Sequence, residues 1–118
     1  MRDYTFLAAP WRPLLRHLLR RFSENGLTVN RTFDLQAARR SLRDAAEAPC
    51  PRHGSNRCTC QYLVLQVRRL GYGSTVLVVH GQDRVTKIAT PSGASESRGG
   101  EVAAEVHREL VELMRRER

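Results

Sequence analysis

All three cysteines of this 118-residue chain lie between positions 50 and 60, and one of its four histidines lies among them. The residues Cys50, His53, Cys58 and Cys60 follow the pattern Cys-x2-His-x4-Cys-x-Cys. Zinc is bound tetrahedrally by thiolate and imidazole groups, and three cysteines with one histidine form a common structural ligand set. Because soft thiolates also disfavour magnesium and calcium, the pattern predicts a tetrahedral zinc site.

The segment around these ligands has the composition of a loop. Residues 49–60 contain two prolines, a glycine and short polar side chains, without hydrophobic periodicity. The two-residue gap between Cys50 and His53 lets both side chains of a tight turn point at one ion, and Pro51 and Gly54 supply the backbone conformations that such a turn needs. We therefore expect a metal-binding loop insert at 49–60.

Other interpretations of the cluster stay open at this point. Its ligand set resembles that of the small two-iron, two-sulfur proteins with three cysteines and one histidine, although those place the Cys-x-Cys pair first. Its compactness resembles that of a zinc knuckle, with a different spacing. A disulfide is a further alternative, but an odd cysteine count without a signal peptide favours a reducing compartment. Chance clustering without a metal also stays open, as do redox-active thiols, which would make the protein a thiol-based redox or metal sensor.

The residues around the cluster favour a non-catalytic metal. Four protein ligands close a tetrahedral site and leave no position for the activated water of hydrolytic zinc. No aspartate or glutamate occurs between Glu47 and Asp83 to act as a general base. Only the loss of His53 would open the site. Three thiolates with Zn²⁺ carry one negative charge, which the flanking Arg52 and Arg57 could offset.

Three segments have helical periodicity. The first begins near Pro13 and ends at Asn25-Gly26, and its apolar residues recur at intervals of three and four. The second follows Asp34, whose carboxylate can cap a helix, and ends before Pro49. The third carries acids near its start and arginines near its end, which complements the helix dipole. The apolar stripes of the three helices contain Trp11, Leu14, Leu15, Leu18, Leu19 and Phe22; Leu35, Ala38, Leu42 and Ala45; and Ala103, Val106, Leu110, Leu113 and Met114.

Three β-prone runs separated by short turns predict an antiparallel meander over residues 62–67, 75–80 and 84–89. Residues 27–33 predict another strand, with Leu27, Val29 and Phe33 on one face in a pattern that Arg31 weakens. Residues 4–8 are a candidate for an N-terminal strand.

Together these segments predict one α+β domain over residues 1–118, a length that suits a single core. We expect a three- or four-stranded, mostly antiparallel sheet with two or three helices on one face, and the zinc-binding loop before the central strand. Residues 91–100 are small and polar and predict a flexible connection.

The formal net charge is +8, and 19 of the 20 basic residues are arginine, a skew that a GC-rich genome also produces. Residues 10–69 contain 12 arginines against four acids, whereas the remainder from residue 70 is balanced. A basic half can attract nucleic acid or an acidic protein, although a solvated face is the simpler interpretation. The candidate contacts for such an anionic partner are Arg39, Arg40, Arg43, Arg68 and Arg69.

The remaining histidines are better explained as surface or packed residues than as ligands. His80, at the end of a predicted strand, is the one expected to approach the metal loop across the sheet. No apolar run reaches the roughly 20 residues that a membrane span needs, and no signal-peptide pattern begins the chain. We therefore expect a cytoplasmic protein without membrane contact, whose function is that of a small metal-stabilised binding or regulatory module.

Overall fold

The structure is a computed structural model that describes residues 2–41, 49–51, 53, 58–91 and 100–116. Within these residues five strands alternate irregularly with three helices. The elements are β1 (Arg2–Leu7), α1 (Trp11–Glu24), β2 (Thr28–Asp34), α2 (Leu35–Ser41), β3 (Gln61–Arg69), β4 (Gly73–Gln82), β5 (Val85–Pro91) and α3 (Gly100–Arg116).

The five strands form one sheet in the order β1-β5-β4-β3-β2, and all four pairings are antiparallel. The α+β class and the meander are confirmed. The expected strand count of three or four is corrected to five, because β1 joins the sheet by pairing with β5. The central strand is therefore β4, and the Cys/His loop leads into its neighbour β3 instead of into the centre.

Side chains alternate across the sheet, so each strand has one face in the main core. On β3 this face carries Leu63, Leu65 and Val67, all fully buried, and on β4 it carries Leu77 and Val79. The intervening residues of both strands point to the opposite face, where the Cys/His cluster lies. At the ends of β3 and β4 next to the cluster, alternate residues therefore face the main core on one side and the Cys/His cluster on the other.

The amphipathic helices α1 and α3 cover the core face. Leu14, Leu15, Leu18 and Phe22 of α1 are buried, as the helical spacing predicts, and α3 buries four apolar residues of its own stripe. Glu109 of α3 ties the two helices together, since it accepts hydrogen bonds from the Arg21 guanidinium at 3.0 and 3.3 Å and from the Asn25 amide at 2.9 Å.

The short helix α2 packs apart from the other two. Asp34 caps it as predicted, because its Oδ1 accepts from the backbone N–H of Ala37 at 3.0 Å. Leu35 is fully buried, and with Ala38 it contacts Cys50 and Cys60 in a second apolar cluster, outside the core that α1 and α3 share. The predicted continuation of this helix through Leu42 and Ala45 lies outside the described residues, as does the predicted connection between Pro91 and Gly100.

A β-bulge in β2 changes the expected faces of that strand. Arg31 pairs with Leu65 and Phe33 pairs with Val64, so Thr32 is an extra residue in the ladder. Phe33 consequently lies on the face opposite Val29, where its ring centroid is 6.3 Å from that of Tyr62. The prediction that Phe33 shares a face with Leu27 and Val29 was wrong, because period-two alternation stops at the bulge.

The close approach of α1 to the sheet depends on Gly81 in β4. A Cβ atom at this position would lie 2.5 Å from Cδ1 of Trp11, closer than carbon atoms can pack. The indole therefore rests on bare backbone next to His80.

We expect Gly81→Ala to lower the free energy of unfolding by about 1–3 kcal/mol, the usual cost of overpacking a filled site. Urea denaturation followed by far-UV circular dichroism measures this, and the emission of Trp11, the single tryptophan, should change in the folded state. In a Trp11→Ala background, the same Gly81→Ala substitution should lower the free energy of unfolding by clearly less. An equal cost in both backgrounds would show that the indole is not the obstacle.

Candidate metal centre

The Cys/His cluster forms where the loop after α2 meets the neighbouring ends of β3 and β4. Cys60 directly precedes β3, and Tyr62 of β3 pairs with His80 of β4. Cys50 and His53 come from the loop, where the backbone N–H of His53 donates to the carbonyl of Cys50 at 3.1 Å. This turn is the one that the Cys-x2-His spacing predicts. A loop and two strands therefore contribute to one site.

Four ligand atoms converge in this site, one each from Cys50, His53, Cys60 and His80, and all lie within 4.8 Å of one another. The Cys60 sulfur is 3.4 Å from Nδ1 of His53, and the Cys50 sulfur is 3.9 Å from Nε2 of His80. Around one tetrahedral zinc ion, bonds of about 2.3 Å to sulfur and about 2.1 Å to nitrogen separate these atoms by roughly 3.6 Å. The spacing therefore fits a single ion.

The two sulfur ligands of the site are buried, whereas one of its imidazoles is exposed. Cys50 and Cys60 are fully buried, His80 is 8% exposed and His53 is exposed. Two thiolates balance the charge of a divalent ion, so the complex would be neutral, as a buried site requires. The ring of Tyr62 packs edge-on against His80 at 6.1 Å.

Cys58 lies beside this group without belonging to it. It is only partly buried, and the Arg39 guanidinium donates to its carbonyl at 2.8 Å and to its sulfur at 3.6 Å. Burial raises the pKa of Cys58, but hydrogen bonds with His53, the Cys60 backbone, Arg39 and the Cys60 side chain outweigh it and lower the pKa to about 6. Desolvation, followed by contacts with Cys58 and Cys50, raises the pKa of Cys60.

The structure thus brings together three of the four ligands predicted from the sequence, and it adds a histidine. Cys50, His53 and Cys60 share the site, and His80 reaches it across the sheet as its strand position suggested. Cys58 stays a predicted ligand that the geometry leaves at the rim. The coarse prediction of a Cys/His group able to hold a metal ion is confirmed.

Four of the five arginines predicted to contact an anionic partner lie in the described part of the chain, and these four do not form one patch. Arg39 is held at Cys58, and Arg40 is exposed on the same helix. Arg69 forms an ion pair with Glu105 at 2.7 Å, and Arg68 is exposed beside it. These two residues end β3, and eight steps of about 3.3 Å separate that end from Gln61 by roughly 26 Å. Arg43 lies outside the described residues.

Comparisons of the chain with protein-family models, with curated proteins and with solved structures gave no match. None of the described helices combines the length and the hydropathy that a membrane span requires.

In metal-free protein, iodoacetamide should alkylate Cys58 before Cys60, because the thiolate is the reactive form and Cys58 is the less buried of the two. The rate at Cys58 should fall as the pH decreases through about 6. Arg39→Gln, which removes a donor to the sulfur, should move this profile to higher pH. Peptide mass spectrometry after timed quenching measures the rates. Equal rates at Cys58 and Cys60 would contradict the assignment.

Proposed function

We propose that this protein is a small, non-catalytic binding module whose fold is stabilised by one zinc ion held by Cys50, His53, Cys60 and His80. The observation that carries the proposal is the convergence of four ligand atoms within 4.8 Å. Two thiolates and two imidazoles form a donor set typical of structural zinc.

The donor set and its spacing support zinc over other occupants. Thiolates disfavour magnesium and calcium, and iron–sulfur clusters present several iron atoms to their ligands, whereas these four atoms surround one point. Copper(II) favours tetragonal surroundings, while zinc accepts a tetrahedron without electronic cost.

A structural role follows from what the site connects. Its ligands come from the loop, from the residue before β3 and from β4, so one ion would tie the loop to the paired ends of β3 and β4. Four protein ligands complete the tetrahedral shell and leave no place for a reacting water. The binding free energy of such an ion acts as folding free energy.

The purified protein should bind about one zinc ion per chain, and His80→Ala should weaken binding by more than the 10- to 100-fold that loss of an outer-shell partner costs. Cys58→Ser should change the affinity by less than about tenfold, because its sulfur is not one of the four converging atoms. Competition with a chromogenic chelator measures both constants.

His107→Ala serves as the matched control, since His107 is an exposed histidine on α3. The opposite ranking, with Cys58 essential and His80 dispensable, would support the ligand set suggested by the cysteine spacing and contradict the one proposed here. If the parent protein binds no zinc, the proposal of a zinc site is wrong.

A thiol-based redox or metal sensor is the second candidate function. The observation that favours it is the third sulfur, since Cys58 lies partly exposed beside Cys60 and His53 and could exchange with a bound ligand. In a sensor, the loss of metal serves to change affinity for a partner. In a structural site, the same loss mainly reduces stability.

Cys60→Ser separates these two functions. If the site is structural, the variant should lose part of the roughly 10 kcal/mol that zinc contributes in small domains, with a clearly lower melting temperature but a folded core. Calorimetry and partner affinity are to be measured on the same preparation. A melting temperature that stays unchanged would exclude the structural role, and a large affinity change with little loss of stability would identify a sensor.

We further propose that the module binds an anionic partner through its basic half. The excess of arginine over acids between residues 10 and 69 supports this part of the proposal. Arginine's planar fork of donors suits phosphate and carboxylate groups.

A further inference from the structure

A cleft on the helix side of the sheet brings together arginines from α1, β2 and α2. It lies between α1 and the junction of β2 with α2, and its volume is about 370 Å³. Its wall contains Arg12 and Arg16 from α1, Arg31 from β2 and Arg40 from α2. A volume of this size is at the lower end of the range for small-ligand sites.

The cleft has a strong positive charge. Four arginines and one carboxylate, that of Asp34, line it, which leaves a formal charge of +3. Among the described residues, no carboxylate lies within ion-pair distance of Arg12, Arg16 or Arg40. Four like charges facing one concave surface repel one another unless an anion offsets them.

The single carboxylate is already engaged with its neighbours. Asp34 accepts hydrogen bonds from the Ala37 backbone, the Gln61 amide and the Arg31 guanidinium, at 2.9 to 3.0 Å. Burial raises the pKa of Asp34, but these hydrogen bonds and the charge of Arg31 outweigh it and lower the pKa. Asp34 therefore positions Arg31, and the other three arginines have no carboxylate partner within the part of the chain that the structure describes.

The bulge at Thr32 makes this arrangement possible. In a regular strand, residues 31 and 34 point to opposite faces. With the extra residue, Arg31 pairs with Leu65 and Asp34 pairs with Leu63, both on the core face. Bulges are recurrent devices for aiming a side chain at a site, and this one brings Asp34 to the same face as Arg31, where the two form an ion pair at the cleft.

A planar platform lies next to the charges. The Arg12 guanidinium lies 5.0 Å from the centroid of the Trp11 ring, and the indole is fixed from behind by Gly81. Arginine planes and aromatic rings stack on nucleobases, while phosphates bind to the surrounding cations. An acidic peptide would use the charges but not the platform.

We propose that this cleft binds the phosphate groups of single-stranded nucleic acid, with Arg16, Arg31 and Arg40 at the phosphates and Arg12 stacked between Trp11 and a base. The inference rests on the anionic partner of the proposed function and gives it a place and a chemical class. It is independent of the zinc ion.

The test is binding of fluorescein-labelled oligothymidylate, followed by fluorescence anisotropy over a series of salt concentrations. The variant carries Arg12→Gln, Arg16→Gln and Arg40→Gln, all in helices, where glutamine is tolerated about as well as arginine. Each phosphate contact contributes about 0.7 to the salt slope on single strands, and Arg16 and Arg40 are two such contacts, so we expect a slope lower by about 1.4 and at least a tenfold loss of affinity.

The matched control carries Arg84→Gln, Arg108→Gln and Arg116→Gln, which remove the same charge from exposed positions outside the cleft and outside the basic half. It should change affinity by less than about threefold. Equal losses in the two triple variants would overturn the cleft as the binding site while leaving an anionic partner in place. No binding by the parent protein at low salt would overturn both. Circular dichroism and zinc content identify any variant that fails to fold.

Competitors distinguish the possible sources of the anion. Unlabelled oligothymidylate should displace the probe at much lower concentration than pyrophosphate or a free nucleoside triphosphate does, because a strand adds base stacking along its length. Displacement by the free nucleotide at equal or lower concentration would overturn the assignment to a strand, and displacement by polyglutamate at equal charge concentration would assign the cleft to an acidic protein.

Discussion

The antiparallel pairing of β3 with β4 is the constraint on which the site depends. It runs without interruption from Gln61 opposite Gly81 to Arg69 opposite Gly73. On one face this register aligns the leucines and valines that α1 and α3 cover. On the other face it places Tyr62 opposite His80, so that His80 lies beside Cys60. The core and the candidate metal site are thus fixed by one set of backbone hydrogen bonds.

Much of the site could be predicted, because the clustering of the cysteines can be recognised without knowledge of the fold. Aligning the predicted strands 62–67 and 75–80 end to end already pairs Tyr62 with His80, which is why His80 could be expected near the loop. The sequence could not tell which of Cys58 and Cys60 turns inward. That choice depends on Arg39, which binds the carbonyl and the sulfur of Cys58 from a separate helix.

The fold itself was predictable wherever periodicity extends over many residues, as in α1, α3 and the meander. It was missed where a single residue changes the pattern. Thr32 is not distinguished by the sequence pattern, yet as the extra residue in β2 it reverses the faces of Phe33 and Asp34. Charge counting likewise identified a basic half, but only the packing of α1 beside β2 separates Arg31 and Arg40 in the cleft from Arg69, which Glu105 neutralises.

At the ends of β3 and β4 next to the metal site, the alternation of side chains limits which changes in chain length the fold can accept. Cys60 and Gln61 are neighbours in the chain but face opposite sides of the sheet, and so do His80 and Gly81. Inserting or deleting one residue within either strand, next to these ends, would exchange a sulfur or imidazole ligand for a wall of the cleft, and would press a side chain against Trp11. Only changes of two residues preserve both faces. Length variation among descendants of this chain should therefore accumulate in the loops, away from these two strand ends.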